Sequence, residues 1–173
     1  MWFFVSDLHG HLSRYERLFE RIRVELPEVV LMGGDLLPGR FVDAPTEDFV
    51  RDFLAPRFES LRRDFGPRAP HVALILGNDD PRREEPAFAA CAASGLWDYI
   101  NEGHTEVGGY LIYGYSFVPP SPFMLKDWKR YDVSRYVDTG SASPGPRPSS
   151  TASPSACVPT SEATSGTSRP RST

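Results

Sequence analysis

Acidic, imidazole and amide side chains stand beside glycines at three places in the sequence. Asp7 and His9 belong to the first place, Asp35 to the second and Asn78 to the third. Carboxylate oxygens, an imidazole nitrogen and an amide oxygen suit divalent ions such as Mn²⁺, Fe or Zn²⁺ better than soft thiolate metals. Glycine lets the backbone turn sharply next to such ligands. These residues can form one site only if the fold brings the three places together.

Each of the three places follows a short apolar run. The runs cover residues 2–5, 29–32 and 72–76, and a fourth strand is expected over 110–115. Apolarity that is continuous rather than alternating is typical of strands covered on both faces. Ligands of an open α/β sheet bind beyond the carboxyl ends of its strands. We therefore expect the polar side chains that follow the first three runs to converge there.

Helical segments alternate with these strands. The apolar residues of 12–26 recur on one stripe, with Arg and Glu residues on the opposite side. A second helix is expected over 46–64, with Thr46 as its N-cap and a break or kink at Pro56, and a third over 84–93. The alternation predicts an α/β fold whose strands are mostly parallel, are flanked by helices and are joined by right-handed crossovers.

The composition changes abruptly after residue 138. Ser, Thr and Pro make up 22 of the 35 residues of 139–173, and this segment contains no aromatic residue. It cannot bury enough apolar surface to offset the entropy of ordering it, so we predict a disordered C-terminal tail. The globular unit is expected to be 1–138, which carries a net charge of −6 against +2 for the tail.

Charge and hydropathy argue against several classes of protein. The net charge is −4, whereas a general nucleic-acid-binding protein carries a basic face. No apolar run reaches the roughly 20 residues of a membrane helix or the about 7–15 of a signal peptide, so we expect a cytoplasmic location and no membrane contact. Cys91 and Cys157 provide neither a disulfide framework nor zinc-ligand spacing. The absence of a dinucleotide-binding or P-loop pattern disfavours a metal-free nucleotide-binding module.

Three motifs, in this order, resemble those of the calcineurin-like metallophosphoesterases. They are Asp7-Leu8-His9, Gly34-Asp35 and Gly77-Asn78-Asp79-Asp80. The resemblance covers residues 2–117 and implies the first part of a metallophosphoesterase β-sandwich. It also implies two divalent metal ions, Mn²⁺, Fe or Zn²⁺, and hydrolysis of a phosphoester substrate, with phosphodiesters among the candidates.

The resemblance implies a role for each motif residue. Asp7 and His9 would bind one ion, Asn78 the other, and Asp35 would bridge the two. A bridging carboxylate lowers the repulsion between cations about 3.5–4 Å apart. The ions would hold a hydroxide for in-line attack on phosphorus and neutralise charge on the phosphoryl oxygens. Asp80 is expected to orient a neighbouring group rather than to bind metal.

The family usually has a histidine where this chain has Asp79. That histidine donates a proton to the leaving oxygen, whereas a carboxylate beside two cations is a poor proton donor near neutral pH. Asp79 would still lie beside the leaving group, and good leaving groups would be favoured. His11, two residues after a predicted ligand, is the candidate replacement donor.

Histidines expected in the second half of the family's domain are missing. His104 is the only histidine after Asn78. Together with the abrupt tail, this gap predicts a C-terminally truncated or frameshifted member of the family. Two hypotheses follow, a metal-dependent phosphoester hydrolase and a non-catalytic chain with an incomplete metal site. Strands missing from the sheet would leave an edge open, so self-association through that edge is also expected.

Overall fold

A four-stranded parallel sheet lies at the centre of the computed structural model, which describes residues 1–39, 46–122 and 124–131. The strands, which neighbour each other in chain order, are β1 (Trp2–Val5), β2 (Val29–Met32), β3 (His71–Leu74) and β4 (Asp98–Tyr99). The predicted α/β fold with a mostly parallel sheet and flanking helices is confirmed. The tail predicted over 139–173 lies outside the described residues.

One helix joins each pair of neighbouring strands. The helices are α1 (Leu12–Glu25), α2 (Ala55–Phe65) and α3 (Glu85–Ala93). Each crossover moves one strand along in the same direction, so right-handed connections place all three helices on one face of the sheet. None of the helices in the described residues is long and apolar enough to cross a bilayer.

The two faces of the sheet are covered differently. The helix-covered face holds alternate strand residues that belong to the main hydrophobic cluster, namely Val30, Met32, Val72 and Leu74. On the opposite face, Val29 and Ala73 are buried at the centre, but Phe4 at the β1 edge is 72% exposed. The second face is therefore covered only in part.

A β-hairpin provides this partial cover, and it corrects the prediction for 110–115. Strand β6 (Tyr110–Tyr113) pairs antiparallel with β5 (His104–Val107) in a separate two-stranded sheet. Gly108 and Gly109, with φ of 60° and 78°, turn the chain back on itself. The Trp2 ring meets the Tyr110 ring edge-on at 5.4 Å between centroids. The fourth parallel strand is instead β4, whose two residues are too few to produce a hydropathy pattern.

The second predicted helix begins later than expected. A π-helical turn, Val50–Leu54, precedes α2, and the amide of Arg51 donates to Asp48 Oδ1 at 2.9 Å. Asp48 rather than Thr46 thus caps the helical segment, because its carboxylate is the side chain that reaches a free amide. Pro56 is the second residue of α2, and because it has no N–H to donate to the preceding turn, the helix changes from π to α beside it.

The segment 124–131 returns to the core through Trp128. This side chain is fully buried, and its indole Nε1 donates to the backbone oxygen of Asp80 at 2.7 Å. The amide of Val118 donates to the Trp128 carbonyl at 2.8 Å. Trp128 therefore packs against the loop that follows β3, which contains Asp80.

Two short 3₁₀ turns, Gly66–Arg68 and Arg82–Glu84, complete the described elements.

Replacing Trp128 tests whether this late segment belongs to the folded core. We expect Trp128→Ala to lower the free energy of unfolding by about 3–5 kcal/mol, because it removes a buried ring and a hydrogen bond. Tyr131→Ala, at an exposed position of the same segment, should cost less than about 1 kcal/mol. Urea denaturation of both variants gives the measurement. Equal, small effects would show that the segment does not stabilise the core.

Candidate metal centre

Asp7, His9 and Asp35 lie together beyond the carboxyl ends of β1 and β2. Each offers one ligand atom, and these atoms lie within 4.8 Å of one another. His9 Nε2 is 3.8 Å from Asp7 Oδ1. Metal–ligand bonds are about 2.0–2.5 Å long, so two ligands of one ion are at most about 5 Å apart. With small side-chain adjustments, the three residues can surround a single cation.

All three residues have left-handed backbone. Their φ angles are 58° at Asp7, 48° at His9 and 55° at Asp35, and only two other non-glycine residues of the described chain have positive φ. Such conformations cost of order 1–3 kcal/mol each and cluster at functional sites, where the surrounding structure enforces them. The unusual backbone turns the three side chains towards one point.

Backbone hydrogen bonds enforce these conformations. The amide of Asp7 donates to the Gly34 carbonyl at 3.1 Å, and the amide of His9 donates to the Asp35 carbonyl at 2.8 Å. The loops after β1 and β2 thus continue the pairing of the two strands past their ends. This pairing sets the distance of Asp7 and His9 from Asp35.

The loop after β2 also touches the loop after β3. A Cβ atom added to Gly34 would lie 2.5 Å from the backbone of Gly77, and one added to Gly77 would overlap Asp35. Any side chain at either position would force the loops apart. The glycines of the second and third motifs are therefore needed for this close approach as well as for turning.

A buried carboxylate links the same two loops. Asp80 is fully buried, and it accepts hydrogen bonds from the amides of Leu36 at 2.9 Å, Leu37 at 2.7 Å and Gly77 at 2.8 Å. Two of these amides follow Asp35 and the third precedes Asn78. Asp80 therefore orients its neighbours, as the sequence predicted, and fixes the Asp35 loop against the Asn78 loop.

Asp79 bridges two of the clustered residues. Its amide donates to Asp35 Oδ1 at 2.8 Å, and its Oδ2 lies 3.5 Å from His9 Nδ1. This leaves His9 Nε2 on the side of Asp7, where it can bind a cation. Sequence reasoning assigned Asp79 to the leaving group and missed these contacts, because they join positions 44 and 70 residues apart.

The other predicted site residues are placed less directly. Asn78 lies between Gly77 and Asp79, both of which contact Asp35. His11 is the N-cap residue of α1, makes no side-chain capping bond and does not belong to the clustered group. His104 packs against Tyr113 in the hairpin, with 5.3 Å between ring centroids, and is likewise not in this group.

The electrostatics of the site favour a cation. Burial raises the pKa of Asp35, and the nearby carboxylates of Asp7 and Asp79 raise it further, against the lowering effects of the Asp79 amide and His9. Three acidic groups facing one small volume repel each other when ionised. A divalent ion among them would remove that repulsion, so the donor set fits a metal.

Comparisons with known proteins identify no relative. No protein-family model, curated protein or solved structure matches this chain. The resemblance to calcineurin-like metallophosphoesterases thus stays a prediction from three motifs, while the clustering of Asp7, His9 and Asp35 is a property of the fold.

The burial of Asp80 predicts an unusual pH dependence of stability. Burial raises the pKa of Asp80 to about 6, although its backbone amide donors lower it. Aspartate in an unfolded chain titrates near 3.9, so the folded state holds this proton more tightly. The contribution of Asp80 to stability therefore rises as pH falls from 7 to 4, by about 2–3 kcal/mol. We expect the native chain to gain this much stability over that range relative to Asp80→Asn.

Urea denaturation at several pH values, in EDTA, measures the difference between native chain and variant. The pH-independent cost of Asp80→Asn cancels from the slope. Asp52→Asn, the same change at an exposed position of the π-helical turn, is the matched control variant. A difference that stays flat from pH 7 to 4, or that shrinks, would mean that folding does not raise the pKa of Asp80.

Proposed function

We propose that this chain is a metal-dependent phosphoester hydrolase that holds a divalent ion between Asp7, His9 and Asp35. The observation that carries the proposal is their convergence: ligand atoms within 4.8 Å of one another on left-handed backbone. Two carboxylates and an imidazole suit Mn²⁺, Fe or Zn²⁺. The reaction, hydrolysis of a phosphoester, is inferred from the resemblance of the three motifs to calcineurin-like metallophosphoesterases.

The residues around the proposed ion have different roles in the proposed reaction. When bound by Asp7, His9 and Asp35, the ion would supply positive charge that stabilises a phosphoryl group in its transition state. Asp79 orients the His9 ring and lies at the open side of the site, where a leaving group would depart. His11 is the proposed proton donor to poor leaving groups. A second ion would use Asn78 and share Asp35, as the family resemblance implies.

The site is open rather than enclosed. The side chain of Asp7 is 66% exposed and that of Asp79 is 52% exposed. This exposure is consistent with a phosphoester substrate that reaches the site from solvent. The proposed substrate is a phosphoester, and the proposed location is the cytoplasm.

One observation favours a non-catalytic chain as the alternative. Among the described residues, the only group of three or more acidic, histidine or cysteine ligands is Asp7, His9 and Asp35, enough to hold one ion rather than complete two shells. Phosphoester hydrolysis by a pair of ions depends on charge at both the attacking and the leaving oxygen. A chain that binds one ion weakly would contain the metal-ligating residues but would not hydrolyse phosphoesters.

Metal binding is the first test of the proposal. Calorimetric titration of Mn²⁺ into the metal-free chain should show saturable binding. We expect Asp35→Asn to weaken it at least about 100-fold, because a ligand should matter more than the 10–100-fold typical of groups that only orient ligands. Asp52→Asn removes the same charge at an exposed, distant position and should leave the affinity unchanged.

The stoichiometry separates the two hypotheses. Two sites per chain support a binuclear hydrolase, and one site supports a single-ion centre. No saturable binding, or binding that Asp35→Asn and Asp52→Asn weaken equally, would rule out the proposed metal centre.

Turnover is the second test, made on the Mn²⁺-loaded chain. We expect hydrolysis of bis(4-nitrophenyl) phosphate, loss of activity in EDTA, and recovery when Mn²⁺ is restored. Asp35→Asn should be inactive. His11→Ala should slow an alkyl phosphoester, which has a poor leaving group, more than the nitrophenyl ester.

Three results would count against parts of this account. Tight Mn²⁺ binding without turnover of either ester would favour the non-catalytic alternative. Activity that survives EDTA would exclude a metal-dependent reaction. Equal effects of His11→Ala on both esters would exclude His11 as the proton donor.

A further inference from the structure

An open groove runs along the edge of β1 that pairs with no other strand of the described chain. It has a volume of about 620 Å³ and lies between this strand and α1, and it ends beside Asp7. The side chains of Leu8 and Leu18 lie among its apolar lining, and exposed residues of α1 form its outer wall. The groove therefore joins an apolar surface, a strand edge and a polar helix face.

Within the described residues, the strand edge in the groove has backbone groups without a partner strand. Strand β1 has β2 as its one neighbour in the described sheet. The carbonyl of Val5 accepts from the Gly33 amide at 2.8 Å, so Val5 faces β2. Because successive residues face opposite sides of a strand, Trp2 and Phe4 present their N–H and C=O groups to the groove. The strand contains none of the Pro, Gly or charged residues that usually protect an edge.

The helix wall of the groove is basic. Arg14, Arg17 and Arg21 line it at helical spacing, so they form one stripe along α1. All three are exposed. Arg14 donates to the backbone oxygen of Asp7 at 2.5 Å, and Arg21 pairs with Glu25. The three arginines outnumber the carboxylates of Glu25 and Asp7, so this wall carries a net positive charge.

We propose that this groove binds an extended polypeptide segment in which acidic and apolar residues alternate. A segment that pairs with the edge of β1 places alternate side chains on opposite faces of the sheet. Those on the α1 side meet the arginine stripe, where carboxylates form charge-assisted hydrogen bonds. Those on the other side lie beside Trp2 and Phe4, which are 36% and 72% exposed and favour apolar neighbours.

Other occupants fit the groove less well. The sequence led us to expect self-association, but a second copy paired edge to edge through β1 would place two arginine stripes on the same side of the joined sheet. A nucleic acid would match the arginines and leave the strand's backbone groups and the apolar lining unpaired. The alternating segment matches the arginine stripe, the backbone groups of the strand edge and the exposed side chains of Trp2 and Phe4, and the proposal does not depend on metal binding or hydrolysis.

A nuclear magnetic resonance titration in EDTA tests the proposal. The probe is a heptapeptide in which glutamate alternates with valine, added to millimolar concentration. We expect the amide resonances of Trp2 and Phe4 to shift as they become hydrogen-bonded. Arg17→Glu should raise the dissociation constant about tenfold, because it places a negative charge against the glutamates, whereas Arg63→Glu, an equally exposed change on α2, should leave it unchanged.

Control peptides separate strand pairing from simple charge attraction. A peptide with the same composition but blocks of glutamate and valine, and one with alternate N-methylated amides, should bind at least tenfold more weakly. The proposal is overturned if these peptides bind equally well, or if the β1 amides do not shift at millimolar peptide. It is also overturned if sedimentation shows a dimer that occupies the edge, or if an oligonucleotide displaces the peptide with higher affinity.

Discussion

The carboxylate of Asp80 holds together the two loops from which the candidate site is built. It is fully buried and accepts three backbone amides, from Leu36, Leu37 and Gly77. Without it, these amides would be buried without partners, at a cost of roughly 1–3 kcal/mol each. The indole of Trp128 donates to the backbone of the same residue, so the late segment of the described chain depends on this point as well. The backbones of the two loops approach closely at Gly34 and Gly77, and the hydrogen bonds to Asp80 hold them at that separation.

The geometry of the three clustered ligands follows from that arrangement. The parallel pairing of β1 with β2 continues into the loops and imposes left-handed backbone on Asp7, His9 and Asp35. At this place, burial and then the nearby carboxylates of Asp7 and Asp79 raise the pKa of Asp35. Backbone strain and charge repulsion at one site lower the free energy of unfolding, so other interactions must offset them. Burial of apolar side chains between the sheet and its helices supplies this stabilisation.

The uneven cover of the sheet is the second constraint on function. Helices protect one face, whereas the other receives a two-stranded hairpin that leaves Phe4 largely exposed. The strand order of the described sheet leaves β1 at an edge, and Asp7 follows two residues after its end at Val5. The part of the molecule with free backbone groups and apolar surface is thus continuous with the candidate metal centre, so an occupant of the groove would lie next to the site.

The sequence alone determined the features that local patterns encode. Continuous apolar runs placed β1 and β2, a helical stripe placed α1, and the residues after the strands identified Asp7, His9 and Asp35, because parallel strands bring their carboxyl ends to one side. The tertiary structure was needed to show which groups Asp79 and Asp80 contact. The contacts of Asp79 with His9 and of Asp80 with Leu36 and Leu37 join segments far apart in the chain. Strand β4 escaped prediction because its two residues carry no periodic signal and gain their conformation from pairing with β3.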